Sequence, residues 1–186
     1  MRNQQFGDDA RALVRTARER ARVLRHPGIG SEHLLYAVAD SPTPVGAVAR
    51  DHGLTPDGVA EQTERLLARP RSVFDGLDAD ALAAIGIDLH AVREAVEANL
   101  GPAQESSPWV RRRRVRLPGH LPVTGRARSC LQAAVREAGR GGAAQVAARH
   151  LGAVVVASDG GLVPPILAAL DVSAPTLRMA ILEAAG

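Results

Sequence analysis

Two histidines stand at matching places in the chain and are the first candidates for chemistry. His33 follows Ser31 and Glu32, and His150 lies 117 residues further on. A neutral imidazole both donates and accepts a hydrogen bond, and it also ligates metals, so it can brace a helix end, hold an ion or move a proton. No second ligand stands at a spacing typical of a metal site. The pattern therefore favours a ring that braces the start of a helix.

The rest of the sequence carries no pattern typical of an enzyme. A phosphate-binding P-loop, the HExxH zinc motif and the GxSxG nucleophile motif are all missing. Asp8 and Asp9 stand at a predicted helix start, where the helix dipole stabilises negative charge. The lone Cys130 lies on an apolar stripe, which favours a small core residue over a nucleophile. We expect no enzyme, no catalytic residue, no metal and no cofactor.

A run of arginines is the sharpest charge feature of the sequence. It comprises Arg111, Arg112, Arg113, Arg114 and Arg116. Such a run can bind phosphates by releasing counterions, or it can bind an acidic protein surface, or it can be a solvated linker. Aromatic residues make up only 2% of the chain, so stacking platforms for single-stranded nucleic acid are nearly missing. A nucleic-acid-associated regulator using this run is our alternative hypothesis.

The composition is that of a globular protein. Of the 186 residues, 46% are hydrophobic and 23% are charged, and the net charge is +3. The longest uncharged apolar stretches, at 151–157 and 162–170, are far shorter than the roughly 20 residues of a membrane span. The single cysteine suits a reducing compartment, and the polar first residues do not resemble a signal peptide. We expect a soluble, cytoplasmic protein.

An internal repeat predicts how these residues are positioned. Residues 6–67 align with 123–185 at an offset of 117, with a one-residue insertion near 158–164, and the alignment places His33 on His150. Apolar spacing predicts four helices per copy; in the first copy they span about 8–24, 31–40, 45–52 and 56–68. Ser31 is the expected N-cap of the second helix, and Glu32 lies in its first turn.

The region between the two copies has a different composition. Residues 79–100 match 46–67 at an offset of 33, which indicates an extra half-repeat. Turn-forming residues and the arginine run dominate 101–121, as in a linker. We therefore predict an all-α, pseudo-duplicated fold with a short helical insertion: a first repeat at 1–68, an insertion at 69–100, a linker at 101–121 and a second, degenerate repeat at 122–186.

Several motifs together resemble the N-terminal domain of Clp chaperones, the double helical repeat at the front of Clp unfoldases. The family pattern F-T-x-x-A-R is matched by Phe6 with Ala10-Arg11, and I-G-T-E-H-L-L is matched by residues 29–35. The second-copy pattern G-H-I-P-F-T-x-R-A is matched by residues 119–127. The resemblance covers nearly the whole chain except about 69–116.

This resemblance implies a module that binds proteins or peptides. Family members receive substrates and adaptors for ATPase rings, which this sequence lacks, so we expect a stand-alone adaptor, decoy or peptide sink that meets Clp components and their clients. The family binds arginine-phosphorylated proteins through the glutamate of its T-E-H motif, and it is a target of cyclic-peptide antibiotics. The implied ligand-binding residues here are Phe6, Ser31 and Glu32. In the second copy Ala148 and Arg149 reverse the charge, so at most one such site is retained.

Overall fold

A computed structural model of the chain describes residues 5–68 and 121–184, and in these ranges it contains helices and no named strand. The predicted all-α fold class is confirmed. The helices are α1 (Asp8–Val23), α2 (Ser31–Ala39), α3 (Pro44–Asp51), α4 (Pro56–Ala68), α5 (Gly125–Arg140), α6 (Ala148–Val156), α7 (Val163–Ala169) and α8 (Ala174–Glu183).

The chain divides into two compact units, one made of Met1–Leu66 with Gly119–Gly186 and the other of Leu67–Pro118. The first unit therefore contains nearly all of both predicted repeats, which we call copy one and copy two. The predicted half-repeat at 69–100 and the linker through residue 120 lie outside the described residues.

The two copies repeat each other in their helices and in their turns. Helices α1 to α4 correspond in order to α5 to α8, and both α2 and α6 have nine residues. The turn after the third helix of each copy contains a residue with positive φ, Gly53 at 86° and Asp171 at 55°. These two residues are aligned once the one-residue insertion is counted. The repeat predicted from the sequence is thus present in the structure.

The copies are joined by two reciprocal backbone bridges. Phe6 pairs in parallel with Val146, and Ile29 pairs in parallel with Val123. The offset of 117 converts each pair into the other, so the start of each copy lies along the loop that precedes the second helix of its partner. The amides of Val146 and Ile29 donate to Gln5 and Pro122 at 2.7 and 2.8 Å. The two copies are thus paired by the same contact made twice.

Small side chains form the contact faces of the long helices. Ala10, Ala17 and Ala21 of α1 are fully buried, and Ala127, Ala134 and Ala138 hold the same positions on α5. Larger aliphatic residues, such as Leu34 and Leu151, fill the centre. Cys130 is buried among them as predicted, and burial raises the pKa of its thiol.

Helix α4 differs in part from its apolar spacing, which predicts that Val59, Thr63, Leu66 and Leu67 are all buried. Val59 and Thr63 are buried, but Leu66 is only half-buried and Leu67 is 42% exposed. Leu67 follows the last residue of the unit that contains both copies, so it lies where that unit ends.

Within residues 5–68 and 121–184, no single helix has the length and apolar character to cross a membrane. Helices α7 and α8 pass that test of composition only when taken together, and they are bent by 98° at the break between them.

Truncating a core leucine should destabilise the protein strongly. Leu13 and Leu34 are 2% and 1% exposed, so Leu13→Ala or Leu34→Ala should lower the free energy of unfolding by roughly 2–5 kcal/mol. The matched control is Val23→Ala, because Val23 is 72% exposed at the end of the same helix as Leu13 and its truncation should cost less than about 0.5 kcal/mol. Urea denaturation measures both. A leucine effect as small as that of the control would contradict the assignment of the helix faces.

Candidate functional site

The N-terminus of α2 carries two of the three predicted ligand-binding residues, Ser31 and Glu32, and its cap differs from the prediction. The N-cap is Gly30, and Ser31 is the first helical residue, 2% exposed. The expectation that Ser31 caps the helix was therefore wrong. The backbone N–H of Gly30 donates to a side chain further along the helix, which is the half of a capping box that does not involve a hydroxyl at the N-cap.

That side chain is His33, and its hydrogen bonds define the state of its ring. The N–H of Gly30 donates to His33 Nδ1 at 2.8 Å. Because an amide can only donate, Nδ1 must carry a lone pair and the neutral ring must carry its proton on Nε2. The predicted role of His33 as a local brace is confirmed. Burial, and then the charges of His26 and Arg20, lower the pKa of His33 to about 4.

The other ring nitrogen of His33, Nε2, is hydrogen-bonded to His26. His26 Nδ1 lies 2.8 Å from His33 Nε2, so the Nε2–H of His33 donates to it. The two rings meet edge to face with centroids 4.9 Å apart. A chain of two hydrogen bonds thus runs from the Gly30 N–H through His33 to His26, in the loop just before α2.

His26, Glu32 and His33 bring possible metal ligands within 4.8 Å of one another, but their chemistry does not fit a metal. A histidine that ligates through Nε2 normally donates its Nδ1–H to a second group. In His33, by contrast, Nδ1 accepts a hydrogen bond from the Gly30 N–H. Ligation through Nε2 would therefore require the neutral ring to lose its one N–H proton and become an imidazolate. Glu32 also lies at the Nδ1 end of this ring, opposite to His26.

Glu32 is the one acidic residue in the first turn of α2. Its side chain is 17% exposed, and its Oε1 lies 3.4 Å from His33 Nδ1. That approach is no ion pair, because Nδ1 carries a lone pair and not a proton. Among the described residues, no arginine nitrogen lies within 4.0 Å of the Glu32 carboxylate. A largely buried carboxylate is thus left without a cation.

Copy two contributes an arginine beside the same helix start. The Arg126 side chain lies against the backbone of Gly160 and Gly161, where any Cβ on Gly160 would collide with its guanidinium. A Cβ on Gly161 would lie 3.6 Å from Arg126 Nε and 3.3 Å from Ser31 Oγ, and φ is +77° there. The positive φ favours glycine at 161, and a side chain at 160 would displace the Arg126 guanidinium from this position.

Sequence reasoning missed Arg126 as a site residue. It stands 117 residues after Asp9, so the repeat alignment could have shown that the two residues occupy equivalent places with opposite charges.

The equivalent helix start in copy two, at α6, keeps the same brace. The N–H of Ala147, the N-cap, donates to His150 Nδ1 at 3.0 Å. The next amide, of Ala148, donates to Asp9 Oδ2 of copy one at 2.8 Å. Asp9 was predicted to interact with its own helix dipole; it also caps the helix of the other copy.

The two helix starts therefore carry exchanged charges. At α2, copy one supplies Glu32 and copy two supplies Arg126; at α6, copy two supplies Arg149 and copy one supplies Asp9. Phe6, the third predicted ligand residue, is half-buried against the core, and its backbone pairs with Val146. The arginines of the basic run, Arg111–Arg114 and Arg116, lie outside the described residues.

Comparison with known proteins places this architecture among Clp N-terminal domains. No protein-family model matches the sequence. The N-terminal domain of the caseinolytic-protease-associated chaperone ClpD from Arabidopsis thaliana matches with a TM-score of 0.65 and 16% identity, over 98% of this chain and 96% of that one. A structure described as part of a malarial protein secretion system matches with a TM-score of 0.56 and 11% identity, over 96% and 93% of the two chains. The chain has a Clp N-domain-like fold.

Acid should lower the free energy of unfolding by favouring protonation of His33 in the unfolded chain. Its pKa is about 4 in the folded protein and about 6.5 in an unfolded chain, so the unfolded state binds more protons between these values. The stabilisation is complete above pH 6.5 and is lost as pH falls toward 4. We expect the free energy of unfolding to fall by about 2 kcal/mol between pH 7 and pH 5 from this group alone.

The control is His33→Gln, since a glutamine can accept a hydrogen bond and does not titrate. Chemical denaturation of both proteins across this pH range measures the effect. The variant should show a smaller dependence on pH, and equal slopes in the two proteins would contradict the assignment.

Proposed function

We propose that this chain is a non-enzymatic, cytoplasmic module that binds proteins or peptides, related to the domain that receives substrates and adaptors in Clp unfoldases. The observation that carries the proposal is the carboxylate of Glu32 at the start of α2. It is 17% exposed and lacks a cationic partner among the described residues. Its natural ligand is a cation, and the guanidinium of an arginine fits best because its planar donors match a carboxylate.

The surroundings of Glu32 favour a ligand over an internal partner. Partial burial costs a carboxylate part of its hydration, and an arriving guanidinium offsets that cost with charge-assisted hydrogen bonds. His33 does not compete, because its Nδ1 is already occupied by the Gly30 N–H. Ser31 is 2% exposed, so the hydroxyl is the part of its side chain that could contact a ligand.

Arg126 extends this site toward ligands of mixed charge. It lies beside Ser31 and Gly161 and is exposed. A peptide that carries a guanidinium for Glu32 and an anionic group for Arg126 would use both residues. Phosphoarginine carries both groups on one side chain, and this agrees with what the family resemblance implies. The cyclic peptides that bind relatives are a further ligand class for the same module.

In the cell, such a module would bind and hold other proteins. A binding module of this kind can act as an adaptor, a decoy or a peptide sink in Clp proteolysis, and its partners are Clp components and client proteins. Immunoprecipitation of the tagged chain from its own cytosol tests this, with Glu32→Gln as the matched bait. Clp subunits or clients that the wild type enriches and the variant loses are the expected result.

Binding of an arginine-bearing peptide should depend on Glu32. We expect Glu32→Gln to weaken the affinity at least about tenfold, the effect of losing a charge-assisted hydrogen bond, in a fluorescence-anisotropy titration. Glu64→Gln is the control, because it removes the same charge from an exposed position of copy one. A peptide with phosphoarginine in place of arginine tests the contribution of Arg126.

Arg149→Ala reports on the other copy in the same titration. It should leave the affinity for the arginine peptide unchanged, because that residue stands at the start of α6. If Arg149→Ala removed binding and Glu32→Gln had no effect, the site would be assigned to the wrong copy.

A further inference from the structure

The C-terminus of α2 in copy one is closed by an arginine of the next helix. Arg50 of α3 donates through Nη1 to the carbonyls of Ala39 and Ser41, at 2.6 and 3.1 Å. The last carbonyls of a helix have no donor within it, and a cation there also interacts favourably with the helix dipole. Arg50 therefore shows how this fold binds a guanidinium at the end of a second helix.

Copy two has the same helix end without the arginine. Val156 ends α6 as Ala39 ends α2, and a serine follows two positions later in both copies. Once the one-residue insertion is counted, Ala168 stands where copy one has Arg50. Among the described residues, no donor is hydrogen-bonded to the carbonyl of Val156 or of Ser158. The acceptors that Arg50 uses in copy one thus have no internal cation in copy two.

A groove lies where the arginine side chain would be. Val156, Ser158 and Ala168 line it, and Pro164 of α7 and Met179 of α8 form apolar walls. Its volume is about 650 Å³, within the roughly 300–1,000 Å³ of ordinary ligand pockets. Met179 is 54% exposed, and a flexible methionine at a rim adapts well to a bound side chain. The groove therefore combines carbonyl acceptors with walls that an aliphatic stem can contact.

The charges around this groove favour a cationic side chain. Asp159 lines it, where copy one has a proline, and among the described residues no arginine or histidine nitrogen lies within 4.0 Å of its carboxylate. Arg178 also lines the groove, but it donates to Glu137 at 2.8 Å, and that contact offsets its charge. Arg126 lies against the backbone of Gly160, beside the start of α2, and does not line the groove. Copy two has therefore lost an internal guanidinium and gained a carboxylate at the same place.

We propose that this groove binds an arginine side chain of a partner protein, in the way that copy one binds its own Arg50. The guanidinium donates to the carbonyls of Val156 and Ser158 and to the carboxylate of Asp159. Its aliphatic stem lies along the apolar walls. Arginine suits the groove better than lysine, because a guanidinium is less strongly hydrated than an ammonium and has enough N–H donors for all three acceptors.

This site is separate from the one proposed at Glu32. It lies at the C-terminus of α6 in copy two, whereas Glu32 lies at the N-terminus of α2 in copy one. The proposal therefore goes beyond the proposed function and does not depend on it. The chain would have two arginine sites of different construction, one formed by a carboxylate at a helix start and one by carbonyls and a carboxylate at a helix end.

Methyl NMR of the whole protein, labelled at methionine, tests the groove directly. The sequence has two methionines, Met1 and Met179, so Met179→Leu assigns the one signal that belongs to the groove. The probe is a capped pentapeptide with a central arginine between leucines. Its matched control has citrulline at the centre, which keeps the shape of arginine without the charge. We expect the arginine peptide to shift the Met179 signal, and the citrulline peptide to bind at least about tenfold more weakly.

Two variants separate the proposed contacts. Ala168→Arg should restore the contact that Arg50 makes in copy one, fill the groove and weaken peptide binding at least about tenfold. Ala169→Arg is the matched control, because Ala169 is exposed on the same helix and does not line the groove. Asp159→Asn should weaken binding about tenfold by removing a charge-assisted hydrogen bond. Asp171→Asn is its control, since Asp171 is exposed and asparagine tolerates its positive φ.

Three results would each overturn the proposal. One is a Met179 signal that does not move with the arginine peptide at about 1 mM, which half-saturates any millimolar site. The others are equal binding of the citrulline peptide and wild-type binding by Ala168→Arg. Glu32→Gln should leave the Met179 titration unchanged, and the affinity due to Glu32 is measured in the Ala168→Arg background, where the groove is filled. Either arginine site can therefore fail its own test while the other passes.

Discussion

The structure depends on the reciprocal backbone pairing between the two copies. The first residues of each copy lie along the loop that leads into the second helix of the other, through Phe6 with Val146 and Val123 with Ile29. This pairing brings the residue at the start of one copy's first helix to the N-terminus of the other copy's second helix. Asp9 thereby caps α6, and Arg126 lies beside Ser31 at the start of α2. Each candidate site is consequently shared between the copies, and neither copy could form it alone.

The same arrangement allows the two sites to differ in charge while the fold stays the same. The brace from the N-cap amide to the histidine is present in both copies, because it depends only on Gly30 with His33 and on Ala147 with His150. The residue before each histidine is free to change, and it is an acid in one copy and an arginine in the other. In copy two the position equivalent to His26 is Ala143, so the histidine brace there has no second ring beside it. The duplicated scaffold thus carries side chains of opposite charge at its two equivalent helix starts.

Much of the fold could be predicted from the sequence, because helix periodicity and the 117-residue offset are local or repeated signals. The helix starts were harder. Ser31 was taken as the N-cap because serine is a frequent cap, but the helix includes Ser31, so Gly30 is the N-cap and its N–H donates to His33. The contacts of Asp9 and Arg126 reach across more than a hundred residues, and composition does not specify them. The insertion at 69–100 and a role for the arginine run stay predictions, since they lie outside the described residues.

The most direct test of the account is native-state hydrogen exchange of the amides that join the copies. The amides of Ile29 and Val146 should exchange with the same free energy as the core amides of Leu35 and Leu151, because opening either copy breaks the pairing that holds the other. One common free energy, equal to that of global unfolding, is the predicted result. If the amides of one copy exchanged at a clearly lower free energy than those of the other, the copies would open independently. Sites shared between them would then not be held in place by the pairing.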